Sequence, residues 1–310
     1  HTRCADVTGV QTCALPIWSL GGLVATASCG PLAAGYGELR NHVLGMTVVT
    51  GDGRVLRLGG RVVKNVAGYD ISRLMAGSMG VLGVIAEVSL KVLPVAPSSA
   101  TLAFEVDQAT ALQQLNRWGA MPLPLNASCW VRDDLSPGQP ERLCVRLRGA
   151  VSAVQSASRQ MLQTLSGQVL DPKEAEPDWQ RCRDHLLPFF EPAKGDTGNE
   201  APVLWRLSLP QTAPALDLPY PQLIEWHGAL RWLWAPWSAH DLIHAHCRRQ
   251  GGSASVFRDP QGTNTAERFT PLDPVLHEVH QRLQAQFDPE GIFNPGRMYP
   301  SLRAGERHAN

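Results

Sequence analysis

The chain has 310 residues, 44% of them hydrophobic, with 28 basic and 28 acidic side chains. It is long enough to bury a core in each of two domains, and it has no charge excess to draw in nucleic acid or anionic lipid. No apolar run reaches the roughly 18 residues of a membrane-spanning helix, so any membrane association is expected to come through partners.

Residues 1–17 show neither helical nor strand periodicity and lack the basic start and apolar core of a signal peptide. Val7 to Ile17 reads as the translation of a sequencing-library adapter, so the native sequence is expected to begin near Trp18, inside a longer protein. From Trp18 to Pro97 the chain is dense in glycine, and its apolar segments are short. Val43 to Thr50, Gly51-Asp52-Gly53 and Arg54 to Leu58 form the pattern of a β-hairpin, with glycines at the turn. Asp70 to Ala76 is a short helix stopped at Gly77. Val84, Ala86, Val88, Leu90 and Val92 alternate with Ile85, Glu87, Ser89 and Lys91, which predicts a strand with the first set buried. Pro94 and Pro97 end it and mark a domain boundary.

The second domain is expected over 98–310. A strand at Thr101 to Val106, a helix at Gln108 to Trp118, strands at Asn126 to Arg132 and Arg142 to Arg148, and a helix at Ala150 to Leu165 follow in order. After a helical stretch through Phe190, a strand at Val203 to Leu209 completes a β-α-β-β-α-β order. That is a ferredoxin-like unit with an antiparallel sheet, and the fold class is α+β. Leu223 to Trp226 and Leu230 to Trp234 bracket His227-Gly228 as a hairpin. Leu276, Val279, Leu283 and Phe287 mark an amphipathic helix that ends in the turn-rich segment 288–299.

Two glycine clusters stand out: Gly21, Gly22, Val24 and Ala25 in one, and Gly77, Ser78, Gly80, Leu82, Gly83 and Val84 in the other. Glycine lets backbone approach a bulky ligand, and successive N–H groups make a concave donor surface for phosphate or carbonyl oxygens. On spacing alone, tight turns in an unrelated β-rich domain look the same. His240, His244 and His246 fall within one predicted helix, where Asp241 and Cys247 lie on other faces and complete no obvious metal set, so packing or solvated histidines are expected and no metal site is assigned. Tryptophans 226, 232, 234 and 237 suggest a sugar-stacking face or a partner surface, with core and hairpin packing the expected use. The seven cysteines (Cys4, Cys13, Cys29, Cys129, Cys144, Cys182 and Cys247) include no Cys-x-x-Cys pair and read as reduced thiols of a cytoplasmic protein.

The continuous stretch from Gly60 to Pro94, with Lys64-Asn65, Gly68-Tyr69-Asp70 and Gly77-Ser78-Met79-Gly80-Val81-Leu82-Gly83, resembles the second FAD-contacting subdomain of the vanillyl-alcohol-oxidase (PCMH-type) flavoproteins. Within that superfamily, Leu204 to Pro210, Gln222 to Trp232 and Phe293 to Tyr299 make it most similar to the small FAD-binding subunits of bacterial glycolate oxidases and dehydrogenases. The resemblance implies a partial PCMH-type FAD-binding domain over 18–97, with FAD as cofactor. It further implies a C-terminal α+β domain over 98–310 whose 288–299 tail returns to the first.

Gly21, Gly22, Val24 and Ala25 match the segment lining the FAD pyrophosphate and flavin; Gly77, Ser78, Gly80, Leu82, Gly83 and Val84 match the one packed along the cofactor. Lys64, Asn65, Tyr69 and Asp70 are expected either to hold that loop or to touch the ligand. Relatives carry arginines where this chain reads Cys29 to Arg40 with Leu32 and Ala33, which leaves any phosphate contact from that loop in doubt. The glycine-rich pyrophosphate loop of the superfamily lies upstream of everything present, so the chain is expected to hold FAD weakly by itself.

Catalytic 2-hydroxy-acid dehydrogenases of the superfamily carry a His-x-x-x-Gly-Asp-Gly-Asn-x-His type motif, which this sequence lacks, and no catalytic residue is assigned. The resemblance therefore implies an FAD-binding subunit acting with a GlcD-like catalytic flavoprotein and a GlcF-like iron–sulfur subunit. It would be cytoplasmic, or held at the cytoplasmic face of the inner membrane through them, and would oxidise glycolate to glyoxylate. A self-sufficient oxidoreductase for 2-hydroxy acids such as D-lactate, and a flavin-free scaffold, are the alternatives.

Overall fold

Alternation and turn glycines between residues 43 and 90 build a three-stranded antiparallel sheet in a computed structural model that describes residues 19–60, 69–132, 141–191, 200–262 and 268–302. Residues 1–18, with the adapter-like stretch and Trp18, and Lys64 and Asn65 lie outside the described residues. The chain divides into two units; the first falls within 1–29, 37–94 and 267–310, the second within 30–36 and 95–266.

In the first unit, helix α1 (Leu20–Thr26) is capped by Ser19, whose Oγ accepts from the Gly22 N–H at 3.1 Å. Helix α2 (Ala33–Tyr36) follows, in the stretch that belongs to the second unit. Strands β1 (Val43–Val49) and β2 (Val55–Gly59) pair around a turn where Gly53 sits at φ +79°. Helix α3 (Ile71–Met75) is capped by Asp70, and β3 (Val84–Leu90) pairs with the other side of β1.

The buried face of β3 differs from the sequence alternation. A bulge between Thr47 and Val48 skips Ala86 in the pairing, so Ile85 joins Val88 and Leu90 against the core while Val84 is 51% exposed. The core itself is built from Leu23, Val24, Met46, Val48, Met75 and Leu82.

The second unit is one eight-stranded sheet with two repeats of the same strand pattern. In the first repeat β4 (Ser98–Glu105), helix α4 (Gln108–Gly119), β5 (Leu125–Arg132), β6 (Arg142–Gly149), helix α5 (Val151–Thr164) and β7 (Gln168–Val169) lie in the order β5-β6-β4-β7. That is the ferredoxin-like order, and its fourth strand is the two-residue β7. The strand near residues 203–209, expected to complete this unit, opens the second repeat instead.

After helix α6 (Pro172–Asp184), β8 (Pro202–Ser208), β9 (Gln222–Glu225), β10 (Leu230–Pro236), helix α7 (His240–Arg249) and β11 (Ser253–Arg258) lie in the order β11-β8-β10-β9. The repeats join where β9 pairs antiparallel with β5. Each has its own core: Leu102, Trp130, Leu143 and Met161 with α4 and α5, and Trp205, Leu207, Leu233 and Ile243 with α7.

Helix α8 (Pro274–Phe287), which the sequence assigns to the second domain, clusters with the first unit. Leu283 and Phe287 enter that core, and the Phe287 carbonyl accepts from Gly51 N–H in the β1–β2 turn at 2.7 Å. Leu276 and Val279, on the same predicted stripe, are 48% and 45% exposed.

Candidate cofactor site

The two glycine clusters meet. At the C-terminus of α1, Ala27 takes the left-handed conformation at φ 48°, ending the helix and leaving carbonyls for the neighbouring loop. Gly77 N–H donates to Val24 O at 3.0 Å and Met79 N–H to Ala25 O at 2.8 Å. Segments distant in sequence are thus tied backbone to backbone.

The glycines divide into two groups by what a Cβ would meet. On Gly21 it would lie 3.0 Å from the Ile85 carbonyl, and on Gly83 (φ 152°) 2.7 Å from the Val49 carbonyl, so close packing of the unit's own backbone requires both. Gly22 faces only the Ser19 hydroxyl at 3.3 Å, Gly77 (φ +86°) the Ala27 methyl at 3.3 Å, and Gly80 (φ +72°) the Asn294 amide at 3.1 Å. At these three the nearest atoms belong to side chains, not to backbone.

Val24 and Leu82 are buried in the core, so only their main chains are available; Val84 and Ala25 are partly or largely exposed. Ser78 is 94% buried, and its Oγ lacks a hydrogen-bond partner. It lines a cavity of about 130 Å³ with Gly77, Leu82, His280 and Tyr299. From the 288–299 tail, Asn294 donates from Nδ2 to Gly80 O at 3.0 Å.

The orphaned Ser78 hydroxyl beside the two joined loops is a donor suited to a carbonyl or phosphate oxygen of a flavin nucleotide, while the Gly22 and Gly77 N–H groups are taken by Ser19 Oγ and Val24 O. Asp70 has a structural role: its carboxylate accepts from Arg73 N–H and pairs with the Arg73 guanidinium, both at 3.1 Å, while Tyr69 is 97% exposed. In the Cys29 to Arg40 loop, Cys29 Sγ accepts from Leu39 N–H. Gly35 packs on the β5 backbone at Asn126, and Gly30 O accepts from Trp226 Nε1 at 3.1 Å.

A second constellation, in the other unit, was not marked by any sequence motif. Cys129 on β5 lies directly opposite Cys144 on β6 and Glu225 on β9, one row across three strands. Cys182 on α6 donates its thiol proton to Glu225 Oε1 at 3.3 Å, and Trp232 Nε1 donates to Oε2 at 2.7 Å. Burial raises the Glu225 carboxyl to about 7 and the Cys144 thiol to about 12.

The predicted β9–β10 hairpin turns through Trp226, His227 and Gly228 at φ 53°, 55° and 106°. Ser128 Oγ accepts from His227 N–H at 2.9 Å and lies 3.0 Å from its Nδ1. The other histidines pack: His240 and His244 lie against each other at a tilt and meet Trp205 edge-on, and Trp232 sits among His185, Phe190 and Phe257. Among the described residues no group of three such side chains could hold a metal ion.

The chain is similar to several known proteins. A family model described as an FAD binding domain matches residues 7–59. The glycolate oxidase subunit GlcE of Escherichia coli (strain K12) is 41% identical over 284 residues, 91% of this chain and 72% of that protein. The glycolate oxidase subunit GlcD of Bacillus subtilis (strain 168) is 39% identical over 88 residues, 28% of this chain and 19% of GlcD. Among solved structures, an alkyldihydroxyacetonephosphate synthase superposes with TM-score 0.57 at 17% identity, over 89% of this chain and 58% of the synthase, a likeness of fold alone.

Proposed function

The chain belongs to the GlcE family of FAD-binding glycolate oxidase subunits, and from that premise we propose that it serves in a complex oxidising glycolate to glyoxylate, passing electrons to a membrane acceptor. The observation that carries this reading is the joining of the two glycine loops by the Gly77–Val24 and Met79–Ala25 hydrogen bonds, beside a buried hydroxyl without a partner. Bound FAD would supply the two-electron acceptor. The chain's own contribution would be to bind and orient it: backbone at Gly22, Gly77 and Gly80 would lie against it and Ser78 Oγ would hydrogen-bond to it, with Gly21 and Gly83 allowing the close backbone packing beneath.

A GlcD-like flavoprotein supplies the group that takes the substrate proton, because no histidine motif for that task occurs here. A GlcF-like iron–sulfur subunit carries electrons onward. Among the described residues no helix is long and apolar enough to cross a membrane, so contact with a membrane acceptor runs through these partners. The test is reconstitution. The full-length subunit with FAD, glycolate and an artificial acceptor should show no turnover above background until the GlcD-like partner is added. Turnover by the subunit alone favours a self-sufficient enzyme, and absence of flavin from the active complex's small subunit favours a scaffold.

A further inference from the structure

Three thiols and a carboxyl converge on the face of the eight-stranded sheet that α6 covers. Cys144, Cys129 and Glu225 are direct cross-strand neighbours, so their side chains point to one side. Above them Cys182 donates its thiol proton to Glu225 Oε1 at 3.3 Å, which sets it over the residue paired with Cys129. Trp179, one turn earlier on α6, donates from Nε1 to Thr101 Oγ1 at 2.9 Å, which fixes the helix over the row. The three cysteines line a cleft of about 900 Å³ that admits small molecules to this row, although Cys129 and Cys182 are only 8% and 2% exposed.

Two thiols on separate elements that flank one carboxyl and line one cleft can reach the roughly 2.05 Å of an S–S bond by side-chain rotation and a small approach. The adjoining carboxylate gives the departing proton a destination. We propose that Cys129 and Cys182 form a hydroperoxide-sensitive dithiol that closes to an intramolecular disulfide, with Glu225 as proton acceptor. Cys182 attacks one peroxide oxygen as its thiol proton passes to Glu225. The O–O bond breaks, and the leaving oxygen takes that proton and departs as an alcohol or water. The Cys129 thiol then attacks the sulfenic sulfur, the S–S bond forms, and water leaves. Two thiols are oxidised and one hydroperoxide is reduced.

The neighbouring Cys129 thiol and, after it, burial hold the Cys182 thiol well above its ordinary range, so it is inert without a nearby base; Glu225, raised to about 7 by burial, is a stronger proton acceptor than an exposed carboxylate. The reaction is thereby confined to this pair rather than spread over exposed thiols. Once formed, the bond ties α6 to β5 and removes the thiol hydrogen bond from Glu225.

The experiment treats the reduced full chain with hydrogen peroxide, alkylates under denaturing conditions and maps the thiols by peptide mass spectrometry. A Cys129–Cys182 crosslink, lighter by two hydrogens, reversible by dithiothreitol and retained in Cys144→Ser, is expected. Glu225→Gln, with an unchanged far-UV circular dichroism spectrum, should slow closure by at least about tenfold. Should that variant fail to fold, Cys182→Ser provides the check: the crosslink is lost and no other replaces it. Alkylation of both cysteines after oxidation elsewhere in the chain overturns the dithiol, loss of the crosslink in Cys144→Ser moves the reactive pair to Cys144, and wild-type closure in Glu225→Gln removes the carboxyl from the mechanism.

Discussion

Replacing Glu225 by glutamine removes a group that folding has made hard to ionise. The residue is 2% exposed, and desolvation lifts its carboxyl from 4.5 to about 7, against the opposing pull of the Trp232 indole N–H, the Cys182 thiol and Arg206. Below pH 4.5 the carboxyl is protonated in folded and unfolded chain alike, and its contribution to stability is fully present. As pH rises the unfolded chain ionises first, and that stability is lost as pH passes through about 7. The difference amounts to on the order of 3 kcal/mol between about pH 4.5 and 8. An amide stays neutral across this range and still accepts from Trp232 Nε1, so Glu225→Gln should cost only about 1 kcal/mol at acid pH. Urea unfolding of both proteins at a series of pH values measures the effect. Relative to wild type, the variant should gain on the order of 3 kcal/mol from about pH 5 to 8. Parallel profiles would refute the assignment of a buried, reluctantly ionised carboxyl.

Gly80→Val in the full-length protein should lower flavin content per mole while the second unit keeps its tryptophan fluorescence, because Gly80 holds φ +72° beside Asn294. Ser78→Ala should weaken FAD retention by roughly 1–2 kcal/mol, read as a rise in the dissociation constant, with little change in melting temperature. Gly83→Ala puts a Cβ 2.7 Å from the Val49 carbonyl at φ 152°, and should lower stability by at least about 2 kcal/mol in thermal unfolding. Arg231→Met removes guanidinium bonds to the carbonyls of Gly228, Pro214 and Ala213, the last two at 2.6 Å; loss of about 3 kcal/mol or more in urea unfolding is expected.

The parts legible in sequence are those whose signal is local. The β1–β2 turn needs Gly53, the short α3 is announced by Asp70 and Gly77, and both glycine clusters are visible because their residues are contiguous. The buried face of β3 was not legible, since one bulge at Ala86 reverses the alternation on its far side. The fourth strand of the first repeat escaped because β7 has two residues, too few for any period, and the nearest obvious strand belongs to the second repeat. Helix α8 shows its amphipathic stripe but not which core takes it: Leu283 and Phe287 are used, Leu276 and Val279 are not. The row Cys144–Cys129–Glu225 depends on the register of three strands and on where α6 crosses them, neither of which cysteine spacing encodes.

The join between the two repeats also bears on how the chain can be broken. Either repeat by itself would expose β5 or β9 as an open edge, a row of unpaired main-chain groups that recruits other strands. Fused, the two edges shield one another. The outer borders are left to the two-residue β7 and to β11, whose pairing with β8 is interrupted by an irregularity between Val256 and Arg258. A proteolytic nick that separates the repeats therefore leaves two half-sheets, each with an open edge able to recruit other strands, rather than two smaller closed domains.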